Sequence, residues 1–199
     1  MFPPRLIAAL ALALVAGLAS AQAQSLGGDH VKAQLAAETA GAAPGSTLYV
    51  ALVQQIQPHW HTYWRNPGDA GEAPTIAWTL PPGWRAGDVV WPAPKRLPVG
   101  PLMNYGYENQ VLLPVPIEVP ANATVGTTAH LAAAVKLLVC ADVCVPQDAS
   151  LTLDVPIVAG APAAEPRWGA KIAATLAAAP KPSGQSRRRW TACVFSTTL

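Results

Sequence analysis

Apolar residues recur in short runs, many at every second position, and turn-forming residues separate the runs. Val31 to Glu38 alternates apolar and polar side chains, as a half-buried strand does. Thr47 to Ile56 predicts a second, more apolar strand. Thr75 to Leu80 predicts a third, closed by Pro81-Pro82-Gly83, and Trp84 to Trp91 a fourth that stops at Pro92. Gln110 to Val119 is a fifth, and Pro114 and Pro116 within it assign it to an edge or a bulge. Thr127 to Cys140 is long enough to bend, and Ser150 to Val158 alternates again. Pro166 to Ala179 is the one good helical candidate, with a proline near its start and another just past its end. Strands at this spacing, with turn signals between them, predict an all-β fold, an antiparallel β-sandwich with a short C-terminal helix and tail.

The two ends differ from this body. Arg5 precedes an apolar run from Leu6 to Leu18, and Ala21-Gln22-Ala23 follows as an A-x-A cleavage site, with Ala19-Ser20-Ala21 as the alternative. The run is short for a membrane span, which takes roughly 20 residues, so a cleaved export signal over 1–23 is the better reading than an uncleaved anchor. What remains is about 176 residues, enough for one domain with a real core. We place that domain at 24–160, with helix, linker and irregular tail over 161–199. Pro180 to Arg189 reads as linker, and Trp190 to Leu199 carries no usable periodicity.

Composition narrows the function classes. Charged residues make up 12% of the chain and the net charge is +2, much of it in Arg187, Arg188 and Arg189, so the body is near neutral and no nucleic-acid surface is expected. Twenty-one prolines argue against a helical bundle. Three cysteines in an exported chain permit one disulfide and leave one thiol over. Cys193 is the expected odd one, in the tail.

Cys140 and Cys144 stand at the end of the long sixth strand, in Val139-Cys140-Ala141-Asp142-Val143-Cys144-Val145-Pro146. Three intervening residues fit a tight hairpin end, where two Cα atoms approach disulfide distance. A ring this small confers less chain-entropy stabilisation than a long one, which favours reversible exchange over a purely structural bridge. Asp142 between the cysteines disfavours a thiolate unless it helps to move a proton. Three readings stay open: an inert hairpin bridge, a soft-metal clip and an exchange site. Two thiolates suit Cu(I), and Sco-type copper-delivery proteins carry a similar C-x-x-x-C before proline, but their fold alternates helices with strands. Zinc lacks a second Cys or His pair to complete a tetrahedral set.

A second cluster, Pro58-His59-Trp60-His61-Thr62-Tyr63-Trp64-Arg65-Asn66-Pro67-Gly68-Asp69-Ala70-Gly71, is dense in aromatics and turn formers. On a strand His59 and His61 would share a face, as surface imidazoles rather than metal ligands. Trp60 and Trp64 are expected in the sandwich core, and Asn66-Pro67-Gly68-Asp69 as a turn. Asn104-Tyr105-Gly106-Tyr107-Glu108 is expected in a loop between strands, either shielding a reactive site or gripping a partner, or else packing at the sandwich rim.

Together, Trp60-His61-Thr62-Tyr63-Trp64, Asn66 to Gly71, Trp91-Pro92, Tyr105-Gly106-Tyr107-Glu108 and Val139 to Pro146 resemble the N-terminal periplasmic domain of the DsbD and ScsB family of thiol:disulfide interchange proteins, over roughly 31–158. The resemblance implies an immunoglobulin-like sandwich in the periplasm. It implies that Cys140 and Cys144 are the exchanging pair, Cys144 forming the mixed disulfide and Cys140 resolving it. It puts Asn104, Tyr105 and Tyr107 in a cap loop over the cysteines, and Tyr63 and Trp64 beside them. It further implies a thioredoxin-like electron donor domain or membrane reductase, thioredoxin-fold acceptors including those of cytochrome c maturation, and no dissociable cofactor or metal. The family's full proteins continue into membrane and thioredoxin-like domains, which the sequence after Val158 does not resemble. A copper-binding or copper-tolerance role for the same cysteines is the alternative.

Overall fold

The computed structural model describes residues 30–180, so the expected export signal at 1–23, most of the expected linker and tail, and Cys193 lie outside the described residues. Ten strands and one helix follow in chain order: β1 (Val31–Ala37), β2 (Thr47–Ile56), β3 (Thr62–Gly68), β4 (Thr75–Thr79), β5 (Arg85–Ala86), β6 (Lys95–Val99), β7 (Leu102–Tyr107), β8 (Gln110–Glu118), β9 (Thr128–Cys140), β10 (Cys144–Pro156) and α1 (Gly169–Ala178). Every strand pairing is antiparallel. The strands form one sheet in the order β1-β2-β8-β5, a second in the order β10-β9-β4, and a small third sheet, β3-β7-β6.

Alternation builds the core. On β9 and β10 the odd-numbered residues Leu131, Ala133, Val135, Leu137, Val139, Leu151, Leu153 and Val155 turn inward. They meet Leu48, Val50, Leu52, Val111, Leu113, Val115 and Ile117 of the first sheet in one continuous cluster. This is the expected all-β sandwich. The outer face of the first sheet is apolar as well: Ala36, Ala51, Val53 and Leu112 pack under Trp168 and Ile172 of the C-terminal helical segment. That helix begins later than expected, at Gly169, because Pro166 to Trp168 make a preceding turn. The Glu165 carboxylate accepts the N–H groups of Arg167 and Trp168 there.

The fourth expected strand, Trp84 to Trp91, shrinks to the two residues of β5. The segment runs beside β8, and Gly87 and Val90 donate to the carbonyls of Pro116 and Pro114. Those prolines have no N–H to return, so the ladder cannot continue. Their missing donors face away from β2, whose pairing with β8 is unbroken from Thr47 to Gln55. β10 starts at Cys144, earlier than the expected Ser150, and its whole length pairs with β9.

β3, β6 and β7 are strands where none, or a loop, was expected. The segment holding Asn104, Tyr105 and Tyr107 is β7. It escapes a hydropathy pattern because its inward positions include Asn104 and Gly106. A Cβ on Gly106 would lie 2.0 Å from the Thr62 carbonyl oxygen, so only glycine lets β3 and β7 approach there. Asn66 to Gly68 is likewise strand rather than hairpin turn. The register shifts between Tyr63 and Gly68, a bulge in which Gly68 takes φ +93° and donates to Asn66 Oδ1 at 3.3 Å.

Candidate functional site: a cross-strand cysteine pair

Cys140 and Cys144 close the β9–β10 hairpin as directly opposed residues, with Ala141, Asp142 and Val143 as the turn. They are joined as a disulfide, and their Cα atoms lie 4.1 Å apart. The approach has a backbone cause. Cys140 exchanges both its main-chain hydrogen bonds with His61 at 2.9 and 3.0 Å, not with Cys144. The pair is therefore the non-hydrogen-bonded kind, in which antiparallel chains come closest. The same bridge ties the small sheet to the end of β9.

The two sulfurs sit in unlike surroundings. Cys140 is 1% exposed, whereas Cys144 is on the surface. Val143 and Val145 flank it with 63% and 36% of their surface open, and Asp142 and Pro146 are exposed too. An approaching molecule thus reaches Cys144 first, across a small apolar rim.

Tyr63 is the expected surround residue that reaches the pair. Its hydroxyl lies 4.0 Å from Cys144 Sγ and 3.2 Å from His61 Nε2. His61 and Tyr63 share one strand face at a spacing of two, and their rings meet edge-on at 5.1 Å. His61 is buried, contrary to the expectation of a surface imidazole. His59, its expected partner on that face, precedes the strand with φ +71° and is exposed. Burial pushes the His61 pKa down and the Tyr63 pKa up, with the Glu108 carboxylate partly opposing the first shift. His61 is the residue that sequence reasoning passed over. The available signal was its alternation with Tyr63, rather than with His59.

The remaining surround residues make other contacts. Asn104 is buried and accepts from Ala70 N at 3.0 Å through Oδ1. Asp69 N donates to Met103 O and Asp69 Oδ2 accepts from Met103 N, so the 69–70 loop is buttoned onto β7. Tyr107 belongs to the main core and donates to Pro92 O at 2.9 Å, which matches packing at the sandwich rim rather than an exposed loop. Tyr105 is half-buried beside Gly68. Trp60 and Trp64 are half-buried and packed on the core edge. Trp60 stacks on His30 at 3.5 Å, and the Arg65 guanidinium lies over Trp64. Among the described residues, no three His, Cys, Asp or Glu side chains converge as a metal site.

The fold and the site together make this a β-sandwich domain that carries a disulfide of one exposed and one buried cysteine at a hairpin end. The family model described as thiol:disulfide interchange protein DsbD, N-terminal, matches residues 31–156, and this chain belongs to that family. Among solved structures it is similar to the N-terminal periplasmic domain of ScsB from Proteus mirabilis. The TM-score is 0.58 at 26% identity, and the match covers 79% of this chain and 57% of that one. No curated protein matches. The chain is thus a thiol:disulfide interchange domain carrying the Cys140–Cys144 pair.

Proposed function

We propose that this domain passes reducing equivalents to disulfide-containing proteins of the periplasm, and that Cys144 is the attacking sulfur and Cys140 the resolving one. The observation that carries this reading is the unequal exposure of the two cysteines. In the reduced domain, Cys144 thiolate attacks one sulfur of an acceptor disulfide and displaces the other as thiolate, which takes up a proton. Cys140 then attacks Cys144 Sγ, the mixed disulfide breaks, and the acceptor leaves with two thiols. Two electrons and two protons have moved, and the Cys140–Cys144 bond is restored. A thioredoxin-like donor re-reduces it in turn.

The Val143 and Val145 rim suits acceptors that present apolar surface around their own disulfide, as thioredoxin-fold proteins do. Tyr63 and Asp142 border the reacting sulfur. Trp64 and the β7 residues Asn104, Tyr105 and Tyr107 support the segment that holds Tyr63. The periplasmic location is supported by the export signal expected at 1–23 and by the description of the similar ScsB domain as periplasmic.

A Cys140→Ala variant, reduced and mixed with periplasmic extract, is expected to accumulate thiol-sensitive adducts on Cys144, and Cys144→Ala none. Adducts in neither variant, or equally in both, would sink the assignment. The reduction potential of the native pair is expected above the roughly −300 mV typical of inert structural bridges.

A further inference from the structure

A buried imidazole stands two atoms' reach behind the exposed sulfur. His61 Nε2 is 3.2 Å from the Tyr63 hydroxyl, and that hydroxyl is 4.0 Å from Cys144 Sγ, the outer limit of an O–H···S contact. His61 itself does not touch the sulfur. Its backbone is pinned to Cys140 through two hydrogen bonds, which fixes its position relative to the cysteine pair. Tyr63 is 1% exposed, and Gly71 lies so close that any Cβ there would come within 2.1 Å of the ring.

We propose that His61 is a positioning residue for the exchange reaction, drawing the Cys144 thiol proton inward through the Tyr63 hydroxyl. Bonds and charges balance along the line. The Cys144 S–H bond breaks and its proton goes to Tyr63 O. The hydroxyl's own proton passes to His61 Nε2. The electron pair stays on Cys144 Sγ, which now accepts a hydrogen bond from the tyrosine. When the acceptor's thiolate departs, His61 gives up its proton through the Tyr63 hydroxyl to that thiolate or to solvent, Cys144 Sγ now being bonded in the mixed disulfide, and the imidazole is neutral again.

Three features bear on the transfer. Burial lowers the His61 pKa, so the ring is neutral and has a lone pair to accept with, but the same burial disfavours the imidazolium that acceptance forms. The Glu108 carboxylate favours the imidazolium once it forms, and Lys95, 3.1 Å from Glu108, is the cation that moderates it. Tyr63 remains protonated, because burial raises its pKa, so it relays a proton without becoming a phenolate. Asp142, the nearest carboxylate in sequence, sits exposed on the turn and repels a thiolate, so a buried route has something to offset.

This inference rests on Cys144 being the attacking sulfur, and its test separates the two. In a Cys140→Ser background, Cys144 is the lone described thiol, and its alkylation by iodoacetamide is followed against pH. Cys193 is replaced by serine throughout. Tyr63→Phe keeps the ring and removes the hydroxyl. His61→Gln keeps a hydrogen-bond acceptor and removes the base. Each is expected to slow alkylation at neutral pH about tenfold and raise the apparent Cys144 pKa by about one unit. The double variant is expected to lose no more than either single one, since both act in one chain. An unmoved pKa in Tyr63→Phe overturns the proposal, as does a His61→Gln protein that alkylates like its parent. Should His61→Gln fail to fold, Tyr63→Phe alone decides. Partner trapping reads the exchange reaction independently: adducts with an unmoved pKa reject the relay, and a shifted pKa without adducts rejects the exchange reading.

Discussion

At Gly71 the absence of a side chain is what holds a functional one in place. Its φ of +99° is left-handed, and an added Cβ would fall inside the Tyr63 ring. Gly71→Ala therefore combines backbone strain with an overlap that no rotamer relieves. It is expected to lower stability by about 2–4 kcal/mol in urea unfolding, and to displace the Tyr63 hydroxyl from Cys144. A neutral Gly71→Ala would mean that the 68–72 loop moves freely over Tyr63. The sequence already grouped Gly71 with Tyr63 in one aromatic and glycine cluster. It did not reveal that one lies upon the other, because a bulge and a reversal of the chain intervene. The same holds for Cys140 and Cys144. Their proximity follows from spacing, but their unequal exposure follows from the backbone partner of Cys140, which is His61, 79 positions earlier in the chain.

At the scale of elements, one side chain ties β10 to the start of β1 near the site. Gln147 on β10 is buried, donating to Val31 O at 2.6 Å and accepting from Val31 N at 3.2 Å. Val31 begins β1, and its main-chain groups face away from β2, so without Gln147 they would be buried and unpaired. Gln147→Leu is expected to cost about 2–4 kcal/mol for that reason. It is also expected to speed amide exchange selectively at Val31 and at the Cys144 end of β10. Uniform exchange across the domain would contradict this local role. β1, β2, β9 and β10 were legible in outline because each has a clean inward face. β3, β6 and β7 were not. Their inward positions hold Thr62, Asn104 and Gly106, and β6 buries only Leu97. Periodicity detects apolar burial, and these strands are held instead by main-chain pairing and close backbone approach.

At the scale of the whole molecule, two apolar layers carry different loads. The inter-sheet core fixes the strands that bear the cysteines, whereas Trp168 of the preceding turn and Ile172 of α1 seal the opposite face of the first sheet. Ile172 is fully buried. Ile172→Ala is expected to lose about 2–4 kcal/mol in unfolding. The alkylation rate of Cys144 should stay unchanged, because α1 meets only the first sheet's outer face. A parallel loss of thiol reactivity would show that the helix supports the site as well. Here the chain divides differently from its composition. The helical segment belongs to the packed body, although it follows the last strand and was grouped with the tail.

The sequence by itself determined the strand-rich class, the hairpin that brings Cys140 and Cys144 together, and the family's combination of motifs. Those features are local: alternation, turn residues and short spacings act within a few residues. Only the tertiary structure decided which sulfur faces outward, and which side chain stands behind it. Both depend on β3 crossing the end of β9, a long-range pairing whose geometry no local pattern encodes. It is that crossing which buries Cys140, leaves Cys144 open and aligns His61 and Tyr63 behind it.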